Sequence, residues 1–480
     1  MTAYRYRADV LAQLWSHGVQ PGASTPPELV HDFVNDLYRY ELRRLRDRLV
    51  RGEIPKPGYY ARVVALRVKY PLVSLKPHEW LAADAQGPTP KAGTIPSMVP
   101  TVQSKLPSSG VSIFATMTRL ANEHGAINLS QGFPDFHCEP QLLARVARYM
   151  WAGHNQYAPM PGQPALREAL ALKYERVYGR RYDPVTEIAV TTGATEGLFS
   201  AITALVHPGD EVLLFQPAYD SYVPAIQLSG GVPRFVTLRG PDYRIDWDEV
   251  RRTISPRTTV ILLNTPHNPT GMIWTPDDIR ELEAVLQLTG AFVIADEVYE
   301  HIVFDGARHE SLARYPAIAE RAVVISSFGK TYHTTGWKVG YCLGPAAIVA
   351  EILNIRQWIT FSVNGAMQLA YADIVNHDPE RTSVTAFYQE RRDLFLKLIA
   401  GARFTPLPCR GTYFQLLDYS AISDEGDMDF ALRLIREHGV AAIPITPFLH
   451  DGARAGRVLR FCFAKRDDTL TRAAERLVTV

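Results

Sequence analysis

The sequence predicts an α/β fold: a large domain on a mostly parallel seven-stranded sheet, a smaller α+β domain, and a small helical N-terminal domain in front of both. Three observations carry this. After the first hundred residues, seven short and near-continuous apolar runs alternate with amphipathic segments, the pattern of a parallel sheet buried on both faces. The last hundred residues turn to longer helical patterns around the pair TYFQLLDYS and RVLRFCFAK. The first 83 residues show helical periodicity instead.

Bulk properties bound the reading. A chain of 480 residues is too long for one small core, so two or three domains are expected. An apolar fraction of 46% with 21% charged residues is ordinary for a globular protein. The net charge of +1 gives no global pull toward nucleic acid or membrane, and neither partner is expected. No apolar run approaches the length that spans a bilayer. The N-terminus meets Asp9 early and does not read as a secretion signal. Cys138, Cys342, Cys409 and Cys462 are far apart with no CxxC pair, which argues against a disulfide framework and for a reducing cytoplasm.

Taken in order, residues 1–83 form an Arg-rich helical domain. In ELVHDFVNDLYRYELRRLRDRLVRG, Leu29, Phe33, Leu37, Leu42, Leu45 and Leu49 recur at helical spacing and predict the apolar face. Arg39, Arg43, Arg44, Arg46, Arg48 and Arg51 lie opposite, with Glu41 and Asp47 as local partners, and read as a solvated or packing face. YYARVVALRVKYP predicts a second helix. Residues 84–104, rich in Pro, Gly, Ser and Thr, read as a linker. The strands follow as EIAVTTG, DEVLLFQP, VPRFVTL, TTVILLNTP, AFVIADEVY, AVVISSFG and KVGYCLGP, with helices such as PDDIRELEAVLQLTG between them.

In an open α/β sheet, ligands bind beyond the carboxyl ends of the strands. There the sequence delivers the small-residue turn Gly193-Ala194-Thr195, the aromatic Tyr219, the amide Asn268, the carboxylate Asp296, the phenol Tyr299, and Ser327 with the amine Lys330. A helix N-terminus takes phosphate. An amine condenses with an aldehyde, and a carboxylate holds a pyridine nitrogen protonated. Together they are the groups that hold pyridoxal 5'-phosphate and use it. Singly each is weak: a lysine after a strand is usually a surface residue, and an Asp-Glu there is usually a helix cap. His267, His301 and His333 show no metal-ligand spacing and read as structural.

The stretches NLSQGFPDF, NQYAPMPG, TTGATEG, FQPAYDSY, NTPHNPTG, ADEVYEHI, SSFGKTYHTTGWKVGY and LRFCFAK make residues 103 to 480 resemble a fold-type-I, class I/II aminotransferase of the methionine and kynurenine (glutamine) branch. The resemblance implies Lys330 as covalent anchor and acid/base, Asp296 on the pyridine nitrogen, and Asn268 and Tyr299 on the ring oxygen. It places Tyr219 over the ring and Ala194, Thr195, Ser327 and Lys338 on the phosphate. Lys338 stands where many relatives carry arginine, whose planar fork it lacks. Arg460 would take the substrate carboxylate, with Asn268 and Gly132 beside it, and Phe114 would lie over the substrate side chain. Tyr157 and Phe361 would reach across from a second subunit of a homodimer with shared sites. The family's division assigns residues 105–149 to the first part of the small domain, 150–365 to the cofactor-binding large domain, and 366–480 to the rest of the small domain.

The expected activity is transfer of the amino group of an apolar, sulfur-containing or aromatic amino acid, methionine first, to a 2-oxo acid in two half-reactions. Two readings stand beside it. One is a carbon–sulfur β-lyase using the same cofactor. The other is a transcription regulator built on an aminotransferase-like body, against which residues 1–83 lack a helix-turn-helix pattern.

Overall fold

The structure, a computed structural model, describes residues 4–82, 104–106, 110–450 and 452–480. Apart from Ser104, the linker expected at 84–104 lies outside the described residues. The chain divides into two compact units, Met1–Gln103 and Ser104–Val480.

The first unit holds α1 (Ala8–Ser16), α2 (Pro27–Val50), α3 (Lys56–Lys69) and two short 3-10 turns, Pro71–Ser74 and Pro77–Trp80. Proline stands in the opening turn of α2, α3 and both short turns, where its fixed φ suits a helix start and its missing N–H costs nothing. Tyr6 pairs with Leu81 in an isolated antiparallel bridge that closes the unit on itself. Val10, Leu14, Val30, Val34, Tyr70, Leu72 and Trp80 form its core.

One expectation needs correction here. Leu29 and Phe33 are exposed, at 62% and 54%, and α2 instead buries Val30 and Val34. Val30, Val34 and Leu37 make an equally regular helical stripe one residue along. The smaller β-branched side chains are the ones that fit beneath Trp80. Leu42, Leu45 and Leu49 are half-buried, in the part of α2 that packs against α3. The arginines from Arg39 to Arg51 are exposed, as their side of the helix requires.

All seven expected strands form one sheet in the second unit. They are β1 (Ile188–Thr191), β2 (Glu211–Gln216), β3 (Val232–Thr237), β4 (Thr258–Asn264), β5 (Phe292–Asp296), β6 (Ala322–Ser327) and β7 (Gly340–Leu343). Their spatial order is β1-β7-β6-β5-β4-β2-β3. Only β7 runs against its neighbours; the other pairings are parallel. β1, β2 and β7 are buried throughout, which explains their unbroken apolar runs, whereas the edge strand β3 keeps the alternation of a half-covered surface. The helix Pro276–Gln287 starts on a reciprocal cap: Thr275 Oγ1 accepts from Asp278 N, and Asp278 Oδ2 accepts from Thr275 N at 2.8 Å.

A second sheet is built on β8 (Phe414–Asp418) and β9 (Val458–Cys462), paired antiparallel and flanked by the short strands Ile443–Pro444 and Thr405–Pro406. Ile127–Asn128 pairs in parallel with Val440–Ala441, so the segment entering the unit joins the C-terminal layer rather than the large sheet. Among the described residues no helix is long and apolar enough to cross a membrane.

Trp80 is fully buried at the centre of the first unit's core. Trp80→Ala is expected to destabilise that unit by about 3–5 kcal/mol. Hydrogen exchange should then show lost protection in residues 4–82 and unchanged protection in the strands of the large sheet.

Candidate active site

Because β2, β4, β5 and β6 run parallel, their carboxyl ends open on one edge. A cavity of about 330 Å³ lies there. Its wall includes Phe114, Gly132, Ala194, Thr195, Tyr219, Asn268, Asp296, Tyr299, Ser327, Lys330, Lys338 and Arg460, so twelve of the fourteen sequence-predicted residues meet at one place. Tyr157 and Phe361 do not line it. They lie together on the surface, 86% and 47% exposed, with their rings edge-on at 5.7 Å.

One end of the cavity is a cradle of backbone. The helix Gly193–Leu205 begins at the turn after β1, and its first-turn N–H groups, those of Gly193, Ala194 and Thr195, have no intrahelical partner. Gly193 has φ +72°, and a Cβ there would sit 3.3 Å from Lys338 Nζ. A Cβ on Gly340 would come within 2.6 Å of Gly193 C and 2.8 Å of Ala194 N, so β7 approaches the helix start as only glycine allows. Lys338, itself left-handed at φ 52°, sets its ammonium against that start. Free N–H groups, a helix dipole and a cation converge on one point, which suits a phosphate.

Asp296 closes β5 and is buried. Burial pushes its carboxyl up to about 6, against the donations of Tyr222 and Val298 N and the charge of Lys330. Tyr222 Oη donates to Asp296 Oδ2 at 2.6 Å, and Val298 N to Oδ1 at 3.3 Å. Asn264, last in β4, donates from Nδ2 to Asp296 O at 2.8 Å and accepts from Asn268 N at 2.7 Å, so one amide ties the Asp296 backbone to the loop after β4.

Lys330 follows β6 in the short helix Phe328–Thr331. Enclosure pushes its amine down to about 8, although Cys462 and Asp296 favour the charged form. Its Nζ lies 3.5 Å from Gly132 O, which Tyr413 Oη also donates to. A Cβ on Gly132 would meet Phe414 Cζ at 2.8 Å, so this carbonyl reaches the site only because the residue is glycine.

Arg460 comes from the middle of β9 and is 1% exposed. Nη1 donates to Asn268 Oδ1 at 2.7 Å and Nη2 to Ser130 O at 3.0 Å, while Nε has no partner. The guanidinium carbon lies 3.8 Å from the Phe414 ring centre, 5.2 Å from that of Phe114 and 5.8 Å from that of Phe448. A buried cation in an aromatic collar with an unpartnered N–H is built to receive an anion.

These groups fit pyridoxal 5'-phosphate, with a cradle for the phosphate, a buried carboxylate for the ring nitrogen and an amine for the aldehyde. Sequence reasoning missed Tyr222, Asn264, Phe414 and Gln131. Two carried readable signals: Tyr222 lies three residues after Tyr219 in AYDSY, and Asn264 is the polar residue ending an apolar strand. Among the described residues no His/Cys/Asp/Glu group forms a metal site, and all four cysteines are free. His267 and His301 are buried and held neutral, both pushed down to about 3, with His267 Nδ1 within 2.8 Å of Thr270 Oγ1.

Two titrations follow. In cofactor-free protein the rate of pyridoxal 5'-phosphate uptake, read by visible absorbance, should rise with pH and level off above about 8, as Lys330 loses its proton. Tyr222→Phe removes a donation that favours the ionised carboxylate. The Asp296 carboxyl should then ionise only above the native value of about 6, measurable by carboxyl carbon NMR of the cofactor-free protein.

Residues 124–477 match the family described as aminotransferase class I and II. The chain is 51% identical over 376 residues to methionine aminotransferase of Escherichia coli K12, covering 78% of this chain and 97% of that one. It is 35% identical over 411 residues to kynurenine–oxoglutarate transaminase of Dictyostelium discoideum, covering 77% and 94%. A solved Escherichia coli structure, whose study identified a methionine aminotransferase function, superimposes with a TM-score of 0.77 at 50% identity, covering 79% of this chain and all of that one. The match leaves the first unit outside it. The chain therefore belongs to the class I and II aminotransferases, pyridoxal-phosphate-dependent enzymes of fold type I.

Proposed function

We propose that this aminotransferase takes its amino group from an apolar, sulfur-containing or aromatic amino acid, methionine first, and passes it to a 2-oxo acid. The observation that carries the reading is the charge inventory of the cavity. Its lining cations are Lys330, Lys338 and Arg460. Lys338 lies at the phosphate cradle, Lys330 is the reacting amine, and Arg460 is left for the α-carboxylate. Among the described residues no fourth cation lines the wall for a second carboxylate, and the collar around Arg460 is aromatic. The 51% identity to methionine aminotransferase supports the same choice.

Bound in this site, pyridoxal 5'-phosphate supplies an aldehyde that condenses with amines and a ring that withdraws electrons from the substrate Cα. Ala194, Thr195, Ser327 and Lys338 hold its phosphate, and Tyr219 covers the ring. Asp296, kept ionised by Tyr222, holds the ring-nitrogen proton. Tyr299 and Asn268 donate to the ring oxygen. Arg460, with Asn268 and Gly132 beside it, orients the substrate carboxylate, and Phe114 contacts the side chain. Lys330 would take the proton from the substrate Cα and hold it for the return step, as a neutral amine of lowered pKa can.

The working form is a homodimer. Tyr157 and Phe361 sit with Trp151, Trp358 and Ile359 among the exposed large apolar residues, and a second copy covering them would receive Tyr157 and Phe361 at its own cavity. The four free thiols support a cytoplasmic setting.

A panel of amino donors tests the substrate reading: methionine and phenylalanine should exceed aspartate severalfold in kcat/KM, and aspartate ahead of both would overturn it. Lys330→Ala should lower transamination by about a thousandfold or more. Arg460→Lys keeps a charge but loses the planar fork, and should raise KM for the amino acid about a hundredfold.

A further inference from the structure

The helix that carries Phe114 is fastened across the cleft by one carboxylate. Helix Ile113–Glu123 starts on the N-cap Ser112, whose Oγ accepts from Phe114 N at 3.3 Å. The same hydroxyl donates to Asp220 Oδ2 at 2.9 Å. The two residues belong to different layers. Asp220 follows Tyr219 in the loop leaving β2 of the large sheet. The helix runs on into Ile127–Asn128, which pairs with Val440–Ala441 of the C-terminal layer.

The Phe114 ring lies in the first turn of the helix that this bond anchors. It sits 5.8 Å from the Phe448 ring and 6.5 Å from the Tyr219 ring, and 5.2 Å from the Arg460 guanidinium carbon. On its own side the helix is held through Gln131, whose Nε2 donates to Phe114 O at 3.3 Å and to Thr118 Oγ1. Among the described residues, Ser112–Asp220 is the side-chain hydrogen bond that joins the start of this helix to the β2 loop. Burial raises the Asp220 carboxyl from its ordinary value, while Ser112's donation and the Arg460 charge oppose the rise.

We propose that Asp220 is a positioning residue for substrate selection: by accepting from Ser112 it holds Phe114 as a roof over the substrate side chain. The inference rests on the apolar-substrate reading above. An amino acid with a long apolar or aromatic side chain reaches this roof and gains from its fixed place. Alanine, too short to touch it, does not. The bond works as an acceptor for one hydroxyl, so a neutral amide oxygen at position 220 serves equally well.

The test uses the holoenzyme with S112A, D220A, D220N and the S112A/D220A double variant. It reads KM and kcat for phenylalanine and alanine, and the inhibition constant of 3-phenylpropanoate, an unreactive carboxylate with an aromatic tail. S112A and D220A should each raise the phenylalanine KM and the inhibition constant about fivefold to tenfold, with kcat within about twofold and alanine little affected. D220N should stay near wild type, and the double variant should be no worse than either single, as coupled partners require. An inhibition constant unchanged in either alanine variant, additive losses, an equal loss for alanine, or D220N as weak as D220A would each overturn the proposal. A wild-type enzyme that favours aspartate would instead refute the substrate reading. The inhibition constants, which need no donor preference, would still decide the role of Asp220.

Discussion

The second unit is organised around a buried guanidinium. Arg460 lies in the middle of β9, 1% exposed, with one N–H unpartnered. Taking a full charge out of water costs several kcal/mol unless hydrogen bonds and an opposite charge offset it. Asn268 from the loop after β4 and the carbonyl of Ser130 supply part of that compensation. Asn268 comes from the large sheet's side, so the bond that holds this charge also ties the small sheet to the large one. The remaining deficit, between Phe114 and Phe414, is the place proposed above for the substrate carboxylate.

The other end of the cavity depends on absent side chains. Gly340 and Gly193 let the backbone of β7 meet the start of the helix that follows β1, and Gly132 lets a carbonyl pass Phe414 to reach Lys330. Between these ends, two groups are displaced from their ordinary titration in opposite directions by the same enclosure. Burial raises Asp296 and lowers Lys330, and the mutual field of the two only partly restores each. Tyr222 tilts that balance by donating to the carboxylate, while Asn264 holds the Asp296 backbone carbonyl.

Much of this was legible in the chain. The seven strands were readable because a parallel sheet covered on both faces demands unbroken apolar runs, and the turns after them stood out as polar residues where apolar ones stop. What periodicity misjudged was the face of α2. Leu29 and Phe33 are larger and more apolar than their neighbours, yet Val30 and Val34 are the ones buried, because the space beneath Trp80 decides which stripe fits. Tyr222 escaped notice for a related reason: an aromatic opening a helix is ordinary core until a carboxylate is found 2.6 Å from its hydroxyl.

By itself the sequence determined the order of strands and helices, the cofactor, and which functional groups the strand ends carry to the cavity. Those follow from local patterning and from functional groups few other residues could supply. Only the tertiary structure decided which aromatic rings collar Arg460, which tyrosine steadies Asp296, and that Ser112 meets Asp220 across the cleft. Tyr222 and Asp296 are 74 positions apart in the chain and Ser112 and Asp220 108, and the geometry of such contacts is set by how two sheets pack, which no local pattern encodes.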